Sequence, residues 1–265
     1  MYSSIRIAVK RFYYYLTAHN AKGHGVHSPF VFDFIQNVLN DDRFFYAYQS
    51  IENLQKRMLY DNSISSLENF DSTDSGDKMP QVRIADIARS SETPLKYRQL
   101  LFRIIDHYAP VYLLELGTSL GITGAYLAMA NPSVVLTTFE NSANIASLAK
   151  ANFQKLGIKN IRVIEGDLGQ HLSTWLNDQS QIDFVFISGR YQYISIMHYF
   201  NQVLSHTHEY SIVVINHIHC SDGMERSWNE MKHHPAVTLS IDLFQMGLIF
   251  FRKEFKVKQE LAIRF

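Results

Sequence analysis

The run VYLLELGTSLGIT over residues 111–123 places Glu115, Gly117, Thr118, Ser119 and Gly121 within seven positions. An apolar strand there ends in an acid, turns through two glycines four residues apart, and enters a helix predicted over 122–130. Glycine permits the tight turn and lets backbone approach a ligand closely. The N–H groups opening the helix suit a carboxylate or phosphate. This is the chemistry of a nucleotide-type cofactor site. Glu140 ends the next predicted strand, where an acid can accept hydrogen bonds from both ribose hydroxyls. Gly166 and Asp167 end the strand after that. Asp167 alone would usually read as just the cap of the following helix. Three acids at the carboxyl ends of successive strands stand where ligands bind open α/β sheets.

A second group, His217, His219 and Cys220, follows a later strand. Histidine is a base near neutral pH, and His with Cys makes zinc- or nickel-type ligands. The two histidines are two apart and no second cluster has structural-zinc spacing, so ordinary polar loop histidines are the expected reading and a transition-metal site the alternative. Tyr191, Tyr193, His198 and Tyr199 hint at an aromatic-lined pocket, although aromatics on a helix are more often core.

These residues need elements to hold them. From about Val82 helix and strand alternate, the pattern of a doubly wound, mostly parallel sheet. Strands are predicted at 111–116, 134–139, 161–165, 183–188, 210–216, 236–241 and 246–252. Helices are predicted near 94–108, 122–130, 142–156, 168–177, 191–204 and 222–233. The last two strands are joined by only Asp242 to Gln245, so they must be antiparallel.

Residues 1–60 read as a helical N-terminal extension. Ile5, Val9, Phe12 and Leu16 recur at helical spacing, with Arg6, Lys10 and Arg11 elsewhere on the cylinder. Such a helix is expected to pack on its own domain; lying on a membrane surface is the alternative. Ser28 can cap a second helix with Pro29 at its first position. Residues 61–80 are rich in Ser, Asp and Asn without period, and read as a flexible acidic loop before the main domain at 81–265.

Lys+Arg and Asp+Glu both number 25, so no basic field points to nucleic acid. The single cysteine excludes an internal disulfide and fits the cytoplasm. No apolar run reaches transmembrane length. The N-terminal helices could pair across a two-fold axis in a homodimer.

The glycine spacing decides between cofactors. A dinucleotide fingerprint wants G-x-G-x-x-G, but Ser119 and Ile122 occupy its second and third places. The observed E-x-G-x-x-x-G resembles the first motif of class I S-adenosylmethionine-dependent methyltransferases. Seven strands with a terminal antiparallel pair also match that Rossmann-like fold. Residues 85–253 are similar to O-methyltransferases of the catechol and caffeoyl-coenzyme A type. A bacterial subgroup with a similar HGVHSPF segment (residues 24–30) and a similar stretch from His234 to Gly247 extends the likeness over most of the chain. The resemblance implies S-adenosylmethionine as cofactor, its methionine part in the glycine loop and its adenine beside Gly166 and Asp167. Ser188, at the end of the fourth strand of the main sheet, joins the implied cofactor-binding set.

That family orients the acceptor hydroxyl on a divalent ion held by acids at the ends of its fourth and fifth strands. Here Ser188, Asn216 and His217 occupy those positions. Hard cations want charged oxygens, so no metal is expected there. Methyl transfer to a small molecule then needs alignment and a base, His217 or His219. A catalytically silent binder of the cofactor is the rival, with an NAD-dependent oxidoreductase behind both.

Overall fold

The computed structural model describes residues 1–19, 28–66, 81–90, 93–188 and 192–265. Helices alternate with strands that form a mostly parallel sheet of eight. The chain divides into two compact units, Arg43–Trp175 and a second built from Met1–Asp42 with Leu176–Phe265. The first 60 residues are thus shared between the units.

In the unit 43–175 the helices are α3 (Tyr46–Met58), α4 (Ile84–Ser90), α5 (Leu95–Tyr108), α6 (Ile122–Ala130), α7 (Ala143–Lys155) and most of α8 (Leu168–Asn177). Its strands β3 (Leu113–Leu116), β4 (Leu136–Glu140) and β5 (Ile161–Glu165) run parallel. β3 is buried throughout, as an inner parallel strand must be. Tyr48 and Ile51 of α3, Phe102 of α5, Tyr126 of α6 and Phe153 of α7 close a core cluster. Gly157 turns the chain off α7 in the left-handed region (φ +70°). Two short strands, β1 (Ile64–Ser66) and β2 (Gln81–Arg83), pair antiparallel. The opening of the predicted loop at 61–80 is therefore partly strand. Three residues are too few for alternation to show. Residues 67–80 lie outside the described residues.

The other unit holds α1 (Ser4–Thr17), α2 (Pro29–Phe34), α9 (Tyr193–Leu204) and α10 (Asp222–His233). Ser28 caps α2 as expected, its Oγ accepting from the Val31 amide, and the helix widens into a π turn over Ile35–Leu39. Residues 24–27 lie outside the described residues. Strands β6 (Ile182–Ile187) and β7 (Thr207–Asn216) are parallel. β9 (Met246–Phe250) lies between β7 and β8 (Leu239–Asp242), antiparallel to both. That bears out the short Asp242–Gln245 connection. An unexpected eighth sheet strand, β10 (Gln259–Ala262), pairs parallel with β8.

α1 contacts its own unit, as expected, but not through the expected face. No residue of α1 itself is buried. Among the described residues its apolar stripe packs on nothing; Ile5, Val9, Phe12 and Leu16 are 61–79% exposed. The polar side of the helix makes the contacts instead.

Candidate functional site

β3 delivers Glu115 and then turns through Gly117 (φ +101°), Ser119 (φ +50°) and Gly121 (φ +82°). The amides of Gly117 and Thr118 both donate to the Phe139 carbonyl, at 3.1 and 3.0 Å. At Gly121 a Cβ would lie 2.6 Å from the Phe153 ring, so both torsion and space require glycine. Asn152, buried on α7, donates to the Leu120 carbonyl at 3.0 Å and fixes the turn from behind. The turn is held in place before any ligand arrives.

Glu140 is part of the same device. Its Oε2 accepts from the Ser119 amide at 2.7 Å and its Oε1 from the Ser142 amide at 3.2 Å. Burial raises its pKa, opposed by the amides of Ser142, Ser119 and Asn141. A carboxylate has about four acceptor sites, so these amides leave capacity for a further donor.

Glu115 is fully buried, with Oε2 accepting from Thr138 Oγ1 at 2.7 Å. Register explains the contact, since Glu115 faces Thr138 across β3 and β4. The Thr138 hydroxyl in turn lies 2.6 Å from that of Thr118. Glu115 Oε1 is buried with no hydrogen-bond partner. Burial pushes the Glu115 pKa up to about 8, against the Thr138 hydrogen bond. This carboxyl is neutral over most of the physiological range.

Gly166 (φ +116°) donates its amide to the Glu140 carbonyl at 3.0 Å. Asp167 caps α8, its Oδ1 accepting from the Gln170 amide at 2.8 Å. A cavity of about 380 Å³ is lined by Asn141, Ala143, Glu165, Gly166, Asp167, Gln170 and His171. Glu140, Gly166 and Asp167 thus come together at the carboxyl ends of β4 and β5. His171, Gln170 and Asn152 carried no sequence signal, because ordinary polar residues on helices have none.

The remaining candidates belong to the other unit. Ser188 follows β6 and is partly exposed. Asn216 ends β7, and its Oδ1 accepts from the His217 amide at 3.0 Å and from Gln245 Nε2 at 3.2 Å. His217 sits at φ +58°, with Gln245 Nε2 2.8 Å from its Nδ1. An amide donor there leaves the neutral ring's proton on Nε2.

His219 is held differently. Nδ1 lies 3.0 Å from Glu225 Oε1 and Nε2 lies 2.8 Å from Asp242 Oδ2, and the ring stacks on Phe244. Burial lowers the His219 pKa, but Asp242 and Glu225 together outweigh it and the net shift is upward. Each nitrogen thus faces a carboxylate oxygen, which favours the protonated ring.

A divalent ion of the family's type does not fit Ser188, Asn216 and His217. Their donors are neutral, and the Asn216 oxygen is already engaged by two N–H groups. Among the described residues no group of three or more His, Cys, Asp or Glu could hold a metal ion. Tyr193 and His198 of α9 bond Glu230 and Gln202 near the protein surface, while Tyr191 lies outside the described residues.

Residues 114–218 match the family model described as a methyltransferase domain. No curated protein sequence matches the chain. Among solved structures, the chain is similar to the methyltransferase PaMTH1 of Podospora anserina, crystallised with S-adenosylhomocysteine. The two share 12% identity, covering 96% of this chain and 98% of that one, with a TM-score of 0.58. It is also similar to the O-methyltransferase TomG of Streptomyces achromogenes, at 16% identity over 95% and 100% of the two chains (TM-score 0.55). A Bacillus cereus O-methyltransferase is 15% identical over 76% and 99%, with a TM-score of 0.52.

Proposed function

We propose that this chain, a methyltransferase domain on the class I O-methyltransferase-like fold, binds S-adenosylmethionine and transfers its methyl group to an oxygen of a small molecule without a Mg-type ion. The observation that carries the cofactor is the bond from the Ser119 amide to Glu140. It couples the glycine turn to the acid with spare lone pairs, so methionine and ribose ends have prepared partners. The cavity beside Gly166 and Asp167 offers room for a base. TomG, crystallised with S-adenosylmethionine, and the two neighbours crystallised with its demethylated product favour this ligand.

Bound S-adenosylmethionine supplies an electrophilic methyl on sulfonium sulfur. The protein must align the acceptor in line with it and take one proton. His217 is the proposed base. It can accept a proton at Nδ1 in exchange for the hydrogen bond from Gln245, whereas both His219 nitrogens already serve carboxylates.

A second reading, a binder that does no chemistry, is favoured by Ser188, Asn216 and His217 standing where the resembling family has acids. Titration calorimetry with S-adenosylmethionine, S-adenosylhomocysteine and NAD separates the cofactors. We expect the first two to bind and Glu140→Ala to weaken them by about 1–3 kcal/mol, the cost of removing a charged acceptor. NAD binding without S-adenosylmethionine binding would sink the proposal. Cofactor binding with no turnover of phenolic or catechol acceptors leaves the silent binder.

A further inference from the structure

α1 is amphipathic with its faces reversed. A surface helix normally turns its apolar stripe inward and its charges to water. Here Tyr2, just before the helix, donates to Asp222 and Glu225 at 2.8 and 2.7 Å. Arg6 reaches Asp222 at 3.1 Å and Lys10 reaches Glu225 at 2.9 Å. The Tyr14 hydroxyl donates to the Asp242 carbonyl at 3.0 Å. Ile5, Val9, Phe12 and Leu16 point the other way, with Tyr13 (69% exposed) and Tyr15 (60%) on the two borders of their stripe. At about 100° per residue these six side chains span roughly 160° of the cylinder with no charge among them.

We propose that α1 lies in the plane of a lipid bilayer surface, with this arc in the boundary between headgroups and acyl chains. Tyrosine rings on the borders, with an apolar body and a polar tip, suit that boundary. The first acid of the chain is Asp33, so α1 carries Arg6, Lys10 and Arg11 with no opposing charge of its own. Arg11 flanks one border of the arc and is complementary to anionic headgroups, while Arg6 at the other border already faces Asp222.

A second copy of the chain fits less well. Two such helices face to face bring the two copies of Arg11 to one interface with no acid of α1 to pair them. A 14-residue helix is about 21 Å long and about 10 Å across, too small for the roughly 800 Å² per partner of a stable pair. The arc is also wider than the narrow seam of a coiled coil. No helix among the described residues is long and apolar enough to cross a membrane, so this is attachment in the plane. The inference stands on α1 alone, independent of methyl transfer.

The test is flotation of the full-length protein with vesicles of phosphatidylcholine, alone and mixed with phosphatidylserine. The protein should rise with the vesicles, more so with phosphatidylserine. Val9→Asp with Phe12→Asp should lower partitioning by about tenfold or more, at unchanged thermal midpoint because both residues face water. Phe12→Ser alone gives a milder check. Arg11→Glu should reduce flotation with the mixed vesicles more than with phosphatidylcholine alone. In Phe12→Trp the new tryptophan should be quenched by brominated lipid. Protein left in solution with both vesicle types, or flotation that ignores the aspartates, overturns the proposal. So does a dimer in sedimentation that the aspartates dissociate while flotation is absent; that result assigns the face to a second copy.

Discussion

Glu115 and Glu140 are both acids whose pKa values burial raises, yet they are prepared for opposite tasks. Glu140 receives amides on each oxygen, which preserve an anion for polar partners. Glu115 has one hydroxyl and an unpartnered oxygen, so it keeps its proton up to about pH 8. Between about pH 4.5 and that value the unfolded chain has released this proton and the folded chain has not. The folded state therefore loses stability as pH rises across the window. Glu115→Gln should flatten the fall and stabilise the protein near pH 8 by roughly 2–4 kcal/mol. Thermal midpoints measured from pH 5 to 8 check this, and parallel slopes in both proteins would refute it. A second expectation concerns Ser188, Asn216 and His217. Any methyl transfer should persist in EDTA and fall in His217→Ala, by about 10²-fold or more if that ring is the base. Mg²⁺-dependent turnover by the unaltered protein would contradict it.

At the scale of elements, packing supplies what residue patterns leave out. Trp228 of α10 packs against Gly247 in β9, where a Cβ would lie 2.5 Å from its ring. Gly247→Ala should cost about 1–3 kcal/mol by overpacking, read as a lower denaturant midpoint; an unchanged midpoint would mean that Trp228 repacks freely. The alternation of helix and strand was legible because each element is long and its apolar period clear; α6, α8 and α10 fall on their predicted bounds. β10 was not legible, because Gln259–Ala262 has little apolar alternation and exists by pairing with β8. The glycine turn and Glu140 could be read from residue types at strand ends. The Thr118–Thr138–Glu115 line could not, since it depends on the register of β3 against β4. Nor could the reversal of α1, whose periodicity is the same whichever way it faces.

At the scale of the whole molecule, the end of α1 and the end of β10 with the residues after it are tied together. His19 donates to the Ala262 carbonyl at 2.7 Å and accepts from the Arg264 amide at 3.0 Å. Ile263 donates to the Asp242 carbonyl at 2.9 Å, and its own carbonyl accepts from Tyr14. Deleting residues 261–265 should loosen α1, lowering amide-exchange protection in Tyr13–Ala18 by about tenfold or more while leaving α6 unaffected. Equal protection in both proteins would show that the ion pairs to α10 hold the helix alone.

The discontinuous unit also imposes an order on synthesis. Residues 43–175 are contiguous and complete once Trp175 has emerged. Tyr2 meets its first acid, Asp222, only 220 residues later. At roughly 5–20 residues per second the ribosome holds that helix without its anchor for roughly 10–40 s. During that interval both its cations and its apolar arc are open to whatever surface the nascent chain first meets.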